Sequence, residues 1–506
     1  MKLKKLYIKD YKILKNFTIE FPEEHSKNIS VFIGINGSGK STILEALAEI
    51  LSTIAQDEKA KFGFELEYYL RFEEVLEETS TTGESHTEYV LVRLSANKRG
   101  DSIALKLYDP LRRLAVTGSF SGAMKVHFPL RNRASDNYSV LPENLVIYYS
   151  GLSEIMREIS RPHIERQSRQ YRGEQEEEGL DVFYFEPEHF GIVLISMLSF
   201  EFGDIPEFLR EKGKIAGVQS VQIRLKKPTW AKAPATQFWG AEGEVGNFLQ
   251  YLDENSSTAE DLQKPSRKKG TGNIVIETWQ DESISITIIT QQKLFEIRDY
   301  LQEERKLFEM LNIMLADGLL ADISFSFYAR DSPHLSFGIL SEGEQQAIVI
   351  KGLTEFLSNK NTLFLFDEPD TYLHPKWQRQ FITDIENTFE TAYDAENSFL
   401  IATHSPQLLS NAKPERTFVK IIEDGQPVEN TPKHYGREIG MILYELMGVE
   451  ERTRTVAIEI SNLFRLIEEE ELEEAEELLN ELRLKIGSDD PALKRAKLEI
   501  DYLKEG

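Results

Sequence analysis

The 506-residue chain contains no cysteine. That absence removes disulfide scaffolds, iron–sulfur clusters, thiolate zinc sites and cysteine nucleophiles from consideration. The chain also lacks a run of the roughly 18 apolar residues that a membrane helix needs. Its best stretch, Phe190 to Phe200, is too short. Net positive charge is missing as well: 85 acidic residues against 59 Lys and Arg leave −26. Uniform electrostatic attraction to nucleic acid is therefore not expected. The basic start (Lys2, Lys4, Lys5) is not followed by an apolar signal region, so a cytoplasmic protein without a membrane partner is expected. What is present is an ordinary 41% hydrophobic and 28% charged composition. Such a chain can bury a sizeable core, with length for about three domains or one large split one.

Charge is unevenly placed. Residues 111–135 hold Arg112, Arg113, Lys125, Arg131 and Arg133 with no acid among them. Residues 212–240 hold Lys212, Lys214, Arg224, Lys226, Lys227 and Lys232, interleaved with Trp230, Phe238 and Trp239. Two readings stand side by side: a surface contacting DNA or RNA, or basic faces packed against the chain's own acids. Nine glutamates between Glu468 and Glu481 read as the solvated face of a helix.

The apolar pattern divides the chain. Leu3 to Asp10 and Phe17 to Phe21 alternate like paired strands, and Ile29 to Ile33 reads as a buried strand. Strand-like runs follow at 62–72, 88–94, 102–107 and 145–149. Arg157 to Arg172 resembles a loop or mobile helix, and Ser256 to Asn273 a flexible loop. Gln291 to Leu315 has the spacing of one long amphipathic helix. From Ile323 onward strand and helix alternate, with buried strands at Leu363 to Phe366 and Phe399 to Ala402, which implies a parallel sheet covered by helices. The tail reads as a helix from Arg437 to Met447, then a hairpin, with Asp490-Pro491 opening one more helix.

The strongest signal is Gly34-Ile-Asn36-Gly37-Ser38-Gly39-Lys40-Ser41-Thr42 between a buried strand and a helical pattern. Glycines let consecutive backbone N–H groups turn inward around phosphates, and the helix N-terminus adds its dipole. Lys40 would reach the β- and γ-phosphates of ATP and Ser41 would hold Mg²⁺. A plain glycine-rich turn is the competing reading, and the strand–loop–helix setting disfavours it. Asp367 and Glu368 close the buried strand 363–366. Asp367 suits the metal shell, and Glu368 suits activation of the attacking water. Leu340-Ser341-Glu-Gly343-Glu344-Gln-Gln opens a further helix and makes a second anion-binding arrangement.

These motifs, in this order, resemble those of ABC-type ATPases: the 340–346 segment their LSGGQ-type signature, Pro369-Asp370-Thr-Tyr-Leu-His374 their D-loop, and Ala402-Thr403-His404-Ser405 their switch-histidine motif. The resemblance implies an α/β fold, an ABC-type P-loop ATPase head split in sequence by a long mixed α/β insert, with a C-terminal helical extension. It places Asn36 to Thr42, Ser341, Gly343, Glu344 and Asp370 around the nucleotide. Catalysis falls to Glu368 and His404, the latter sensing the γ-phosphate. Each signature would cap the nucleotide held by another copy, so a homodimer or higher homo-oligomer is implied.

The wording Asp367-Glu-Pro-Asp-Thr-Tyr-Leu-His-Pro375 is similar to stand-alone bacterial ATPases related to RecF and the overcoming-lysogenization-defect nucleases. No Toprim-like acid cluster follows His404, so no nuclease activity is expected in this chain. Lys433-His-Tyr-Gly-Arg437, Leu446-Met-Gly-Val-Glu-Glu-Arg452, Asp489-Asp-Pro-Ala-Leu-Lys494 and Tyr148-Tyr-Ser-Gly-Leu-Ser-Glu154 resemble the ATPase subunit of Septu-type anti-phage systems, including retron-associated ones. That likeness implies a separate HNH-type nuclease partner. A RecF-like DNA-repair ATPase is the alternative. One departure stands out: ABC heads usually carry a glutamine in the segment equivalent to 148–154, and none occurs here. The expected division is an N-terminal lobe (1–155), an insert (156–320), a C-terminal lobe (321–450) and an acidic helical tail (451–506). Leu463, Phe464, Ile467, Leu478, Leu479 and Leu482 would be partly exposed in an isolated tail hairpin, which leaves two readings: they mark a partner surface, or the tail packs on the chain's own ATPase head.

Overall fold

The structure, a computed structural model, describes residues 1–22, 27–73, 87–109, 114–119, 125–127, 137–171, 180–256, 274–279, 282–329, 335–336, 340–358, 361–390, 397–447 and 452–505. Two compact units are present, Met1–Tyr435 and Gly436–Gly506.

The first unit is organised by a seven-stranded sheet. Its strands are β1 (Ile29–Ile33), β2 (Asn144–Tyr149), β3 (Asp181–Tyr184), β4 (Thr362–Asp367), β5 (Ser398–Thr403), β6 (Thr417–Glu423) and β7 (Gln426–Pro427). Their spatial order is β3-β2-β4-β5-β1-β6-β7, parallel except for the last pair. β1, β4 and β5 are buried at every position, as a sheet covered on both faces requires. In its core Phe364 stacks on Phe399 with ring centroids 4.3 Å apart. Each such buried ring contributes about 1.5–3 kcal/mol. Helix α1 (Lys40–Ala55) packs on β4 and β5, and α3 (Glu342–Leu357) lies against β2. A six-stranded antiparallel sheet adjoins, ordered 14–20, 2–11, 64–73, 87–96, 104–109 and 114–119, and shares the hydrophobic cluster of α1.

Helix α2 (Glu154–Tyr171) occupies the arginine-rich stretch that the sequence suggests as a loop or mobile helix. Its buried His163 explains the order: Nε2 lies 2.8 Å from Ser52 Oγ of α1. Burial first, and Arg166 second, push this imidazole down to about 4. A neutral histidine that must charge on unfolding makes stability fall as pH drops from about 6.5 to 4, by on the order of 2–3 kcal/mol. Burial raises Asp367 and Asp370 to about 6, and they act in the opposite sense over that window. The readable quantity is therefore a difference. The thermal midpoint of His163→Gln is expected to lose less than the native chain between pH 6.5 and 4, and parallel pH profiles would contradict this account.

Two expectations change on contact with the fold. The strand at 323–328 does not join the parallel sheet. It belongs to Leu320–Ala329, which runs antiparallel to Ile215–Lys226 in a five-stranded sheet completed by 274–279, 283–289 and 335–336. The single helix at 291–315 is two, Gln291–Leu301 and Glu304–Ala316, because Gln302 adopts φ 72° and ends the first. Within the basic stretch 212–240, three side chains have partners inside the chain, while Lys226, Lys227 and Lys232 are exposed. Lys212 sits 5.0 Å above the Trp377 ring, Lys214 pairs with Glu344 at 3.0 Å and Arg224 pairs with Asp322. Trp239 is fully buried and cannot stack on a base, whereas Trp230 is half-buried and donates its indole N–H to Asp317 O at 3.2 Å. The side chains of the other basic stretch, 111–135, and the loop 257–273 lie outside the described residues.

The second unit contains α5 (Arg454–Glu468), α6 (Leu472–Ile486) and α7 (Pro491–Glu505), preceded by the helix Ile439–Met447. Here the expected exposed apolar face is corrected. Leu463, Ile467, Leu479 and Leu482 are buried and Phe464 and Leu478 half-buried, because Leu493, Ala496 and Ile500 of α7 close the third side of the hairpin. The described glutamates of 468–477 lie mainly on solvated surface, as their helical spacing suggests. No helix among the described residues is long and apolar enough to cross a membrane.

Candidate functional site

The phosphate loop leaves β1 and enters α1 through Gly39, at φ 107°. Gly37 has φ 80° with open space around it, whereas a Cβ on Gly34 would meet Ile422 O at 2.3 Å. The loop's glycines thus serve two needs, a left-handed backbone and close packing on β6. Asn36 and Gly37 are exposed, Ser41 and Thr42 half-buried, and Ser38, Gly39 and Lys40 buried. Lys40 Nζ donates to Gly34 O at 2.8 Å and Ile35 O at 3.0 Å. Its burial lowers the ammonium pKa, opposed by the charges of Glu368 and Asp367. Ser38 Oγ is buried without a hydrogen-bond partner. An orphaned hydroxyl beside a buried ammonium at a helix N-terminus fits phosphate oxygens.

Asp367 ends β4 and is 2% exposed. Ser41 Oγ donates to its Oδ1 at 2.8 Å across 326 residues of sequence. Burial, outweighing those hydrogen bonds, pushes its carboxyl up to about 6. A serine oxygen and a buried carboxylate side by side fit the oxygen ligand shell of Mg²⁺. Glu368 follows with φ 49°, a strained conformation for a side chain of this size. Its N–H donates to Ala402 O at 2.8 Å, and its carboxylate lies 2.6 Å from His404 Nδ1. Ser41, Asp367, Glu368 and His404 are therefore brought to the ends of adjacent strands beside the loop.

Asp370 is 2% exposed, and its carboxylate accepts from Thr403 Oγ1 at 2.8 Å, which orders the segment leading to His404. Among the described residues, no hydrogen bond or ion pair joins the signature residues Ser341, Gly343 and Glu344 to the loop of their own chain. Ser341 caps α3 in a reciprocal arrangement, its Oγ accepting from Glu344 N and the Glu344 carboxylate accepting from Ser341 N at 2.8 Å. Lys214 pairs with the same carboxylate, a partner that 130 residues of separation hid from the sequence. Gly343 has a packing reason too: a Cβ there would meet Tyr372 O at 2.5 Å. Two more residues were missed. Gln346 donates to Tyr148 OH at 3.1 Å and accepts from Tyr372 N at 3.0 Å, which ties α3 to β2 and to the D-loop. Tyr149 pairs in register with Asp367 of β4. Only the absence of glutamine from 148–154 hinted that this segment was unusual.

Comparison with known proteins supports the chemistry at both ends of the chain. Residues 1–93 match a family model described as an AAA ATPase domain. Residues 227–410 match one described as an AAA domain, putative AbiEii toxin, Type IV TA system. The chain is 21% identical over 458 residues to the Retron Vc95 probable ATPase of Vibrio cholerae, covering 84% of this chain and 74% of that protein. It is 28% identical over 190 residues to the Retron Ec83 probable ATPase of Escherichia coli, which covers 34% of this chain and 33% of that one. The SMC head domain from Thermotoga maritima aligns over 85% of this chain and all of its own at 13% identity and a TM-score of 0.30, too low to add to the argument. The phosphate loop and the carboxylates that face it carry the conclusion with the matched ATPase domains and the sequence relatives: this chain is an ATPase, and it is similar to retron probable ATPases.

Proposed function

We propose that the chain hydrolyses ATP with Mg²⁺ between two facing copies and that its nucleotide state controls a separate nuclease of the HNH type in anti-phage defence. The observation that carries the two-copy reading is the placement of Ser341. It sits at the N-terminus of a 16-residue helix, and its hydrogen bonds among the described residues go to Glu344, not to the phosphate loop of its own chain. A helix N-terminus with a serine suits a phosphate presented from elsewhere. Lys40, Ser38 and the loop amides would hold the phosphates, Ser41 and Asp367 the cation, and Glu368 would take the proton of the attacking water while His404 orders its carboxylate. Bound Mg²⁺ supplies charge neutralisation of the phosphates.

Support for the defence reading comes from the names of the two relatives, which are retron ATPases. The division into lobes at 1–155 and 321–450, an insert at 156–320 and a tail at 451–506 belongs to the same proposal. Reconstitution tests it. The chain mixed with the product of a neighbouring nuclease reading frame is expected to cleave nucleic acid in a manner that ATP changes, and the chain alone is expected not to. Cleavage by the chain alone, lost on changing residues outside the ATP site, would overturn the reading.

A further inference from the structure

The signature sets an electrostatic problem. Helix α3 opens Ser341-Glu342-Gly343-Glu344, so two carboxylates occupy the turn to which the two-copy reading brings an anionic phosphate. Glu342 is exposed and Glu344 buried. Glu344 Oε2 accepts from Ser341 N at 2.8 Å and from Ser341 Oγ at 2.9 Å. A phosphate accepting from the Ser341 hydroxyl would therefore come beside a buried negative charge, and like charges so placed repel. A hydroxyl has a single proton, so the same event also withdraws one donor from Glu344. The segment ahead of the strand Ile215–Lys226 supplies a counter-charge. Lys214 Nζ lies 3.0 Å from Glu344 Oε1, the oxygen that Ser341 does not use. Burial opposes ionisation of Glu344, yet the bonds from Ser341 and Lys214 hold its carboxyl below the ordinary value. The segment itself is fixed against the helices that follow the signature and the D-loop. A Cβ on Gly213 would meet Leu209 O at 3.0 Å and Ile348 Cδ1 of α3 at 3.3 Å. Lys212 N donates to Phe208 O at 2.8 Å, and its Nζ donates to Gln380 Oε1 at 3.1 Å. Lys214 has φ 55°, a backbone that glycine adopts with less strain, yet the position carries a side chain long enough to reach the signature.

We infer that Lys214 is a positioning residue for the phosphate-capping end of α3. Its ammonium offsets the Glu344 charge and keeps that carboxylate partnered when the Ser341 hydroxyl turns to a phosphate presented by another copy. The inference rests on the two-copy reading of Ser341. The Lys214 side chain is 77% exposed, and ion pairs with so exposed a partner add little to stability. Its effect therefore falls on capping of the nucleotide rather than on folding.

The test uses the full chain and reads kcat/KM for ATP hydrolysis with Mg²⁺. Lys214→Met keeps the apolar stem and removes the charge. It should keep the native thermal midpoint and lose about tenfold in kcat/KM through one missing charge partner. Lys214→Arg should restore the native value. Glu344→Gln still accepts from Ser341 N but carries no charge, so in that background Lys214→Met should change kcat/KM by less than about twofold. Native kcat/KM in Lys214→Met overturns the proposal. A tenfold loss that persists in the Glu344→Gln background also overturns it, since the lysine would then act on something other than that carboxylate. Ser341→Arg separates the layers. If it too hydrolyses ATP at the native kcat/KM, the signature caps no phosphate, and the two-copy reading fails together with the role of Lys214.

Discussion

Glu368→Gln is expected to retain bound ATP and to lower its turnover by about 10²–10⁴-fold, the range that a positioned general base contributes. The substitution keeps size and hydrogen bonding. An amide oxygen can still accept from the backbone N–H of His404, which reaches the Glu368 carboxylate at 3.3 Å. What is lost is the ability to take a proton. The backbone at φ 49° is held by the bond from Glu368 N to Ala402 O, which does not involve the side chain, so the loop geometry should survive. Steady-state phosphate release, with retention of labelled nucleotide after desalting, measures both halves. Hydrolysis near the native rate would remove Glu368 from the proposed mechanism.

Lys40→Ala should act earlier, on binding. The Lys40 side chain is 5% exposed and already dehydrated, so it offers phosphate a charge that water does not screen. Losing a charged hydrogen-bond partner costs about 3 kcal/mol, or a loss of affinity near 100-fold. The Gly34 and Ile35 carbonyls lose their donor as well, and Asp367 and Glu368 lose a nearby cation. Isothermal titration with ATP and Mg²⁺ reads the effect, and native affinity would contradict it. The same variant probes assembly. Mixed with Ser341→Arg, it should recover part of the activity, because one composite site would combine an intact loop with an intact signature. If the copies associate and no mixture recovers activity, the two-copy arrangement is wrong.

How much of this was legible in the residues depends on the range over which each feature is encoded. The loop 34–42, the apolar strands at 29–33, 363–366 and 399–402, and the helix opening at Ser341 are local patterns, and each appears where its spacing places it. A fully buried strand needs an apolar residue at nearly every position, and a phosphate loop needs glycines at fixed offsets, so consecutive residues suffice to announce them. Strand-like runs announced five strands of the six-stranded sheet, but not the strand 114–119 or the pairing order. The helix at 291–315 was misread because its break at Gln302 lies in one backbone angle that apolar spacing does not record.

Pairings were beyond local reading. The sequence by itself determined that this chain has a phosphate loop, a pair of carboxylates and a signature, because each is a short run whose chemistry depends on its own neighbours. Only the tertiary structure decided that Ser41 meets Asp367 across 326 residues, that Leu320–Ala329 joins Ile215–Lys226, and that α7 covers the tail hairpin. It also decided that Trp239 fills a core rather than a nucleic-acid surface, and that the Tyr148 hydroxyl meets Gln346. The physical reason is that strand register and helix packing are set by the shared burial of distant segments. No single segment holds that information.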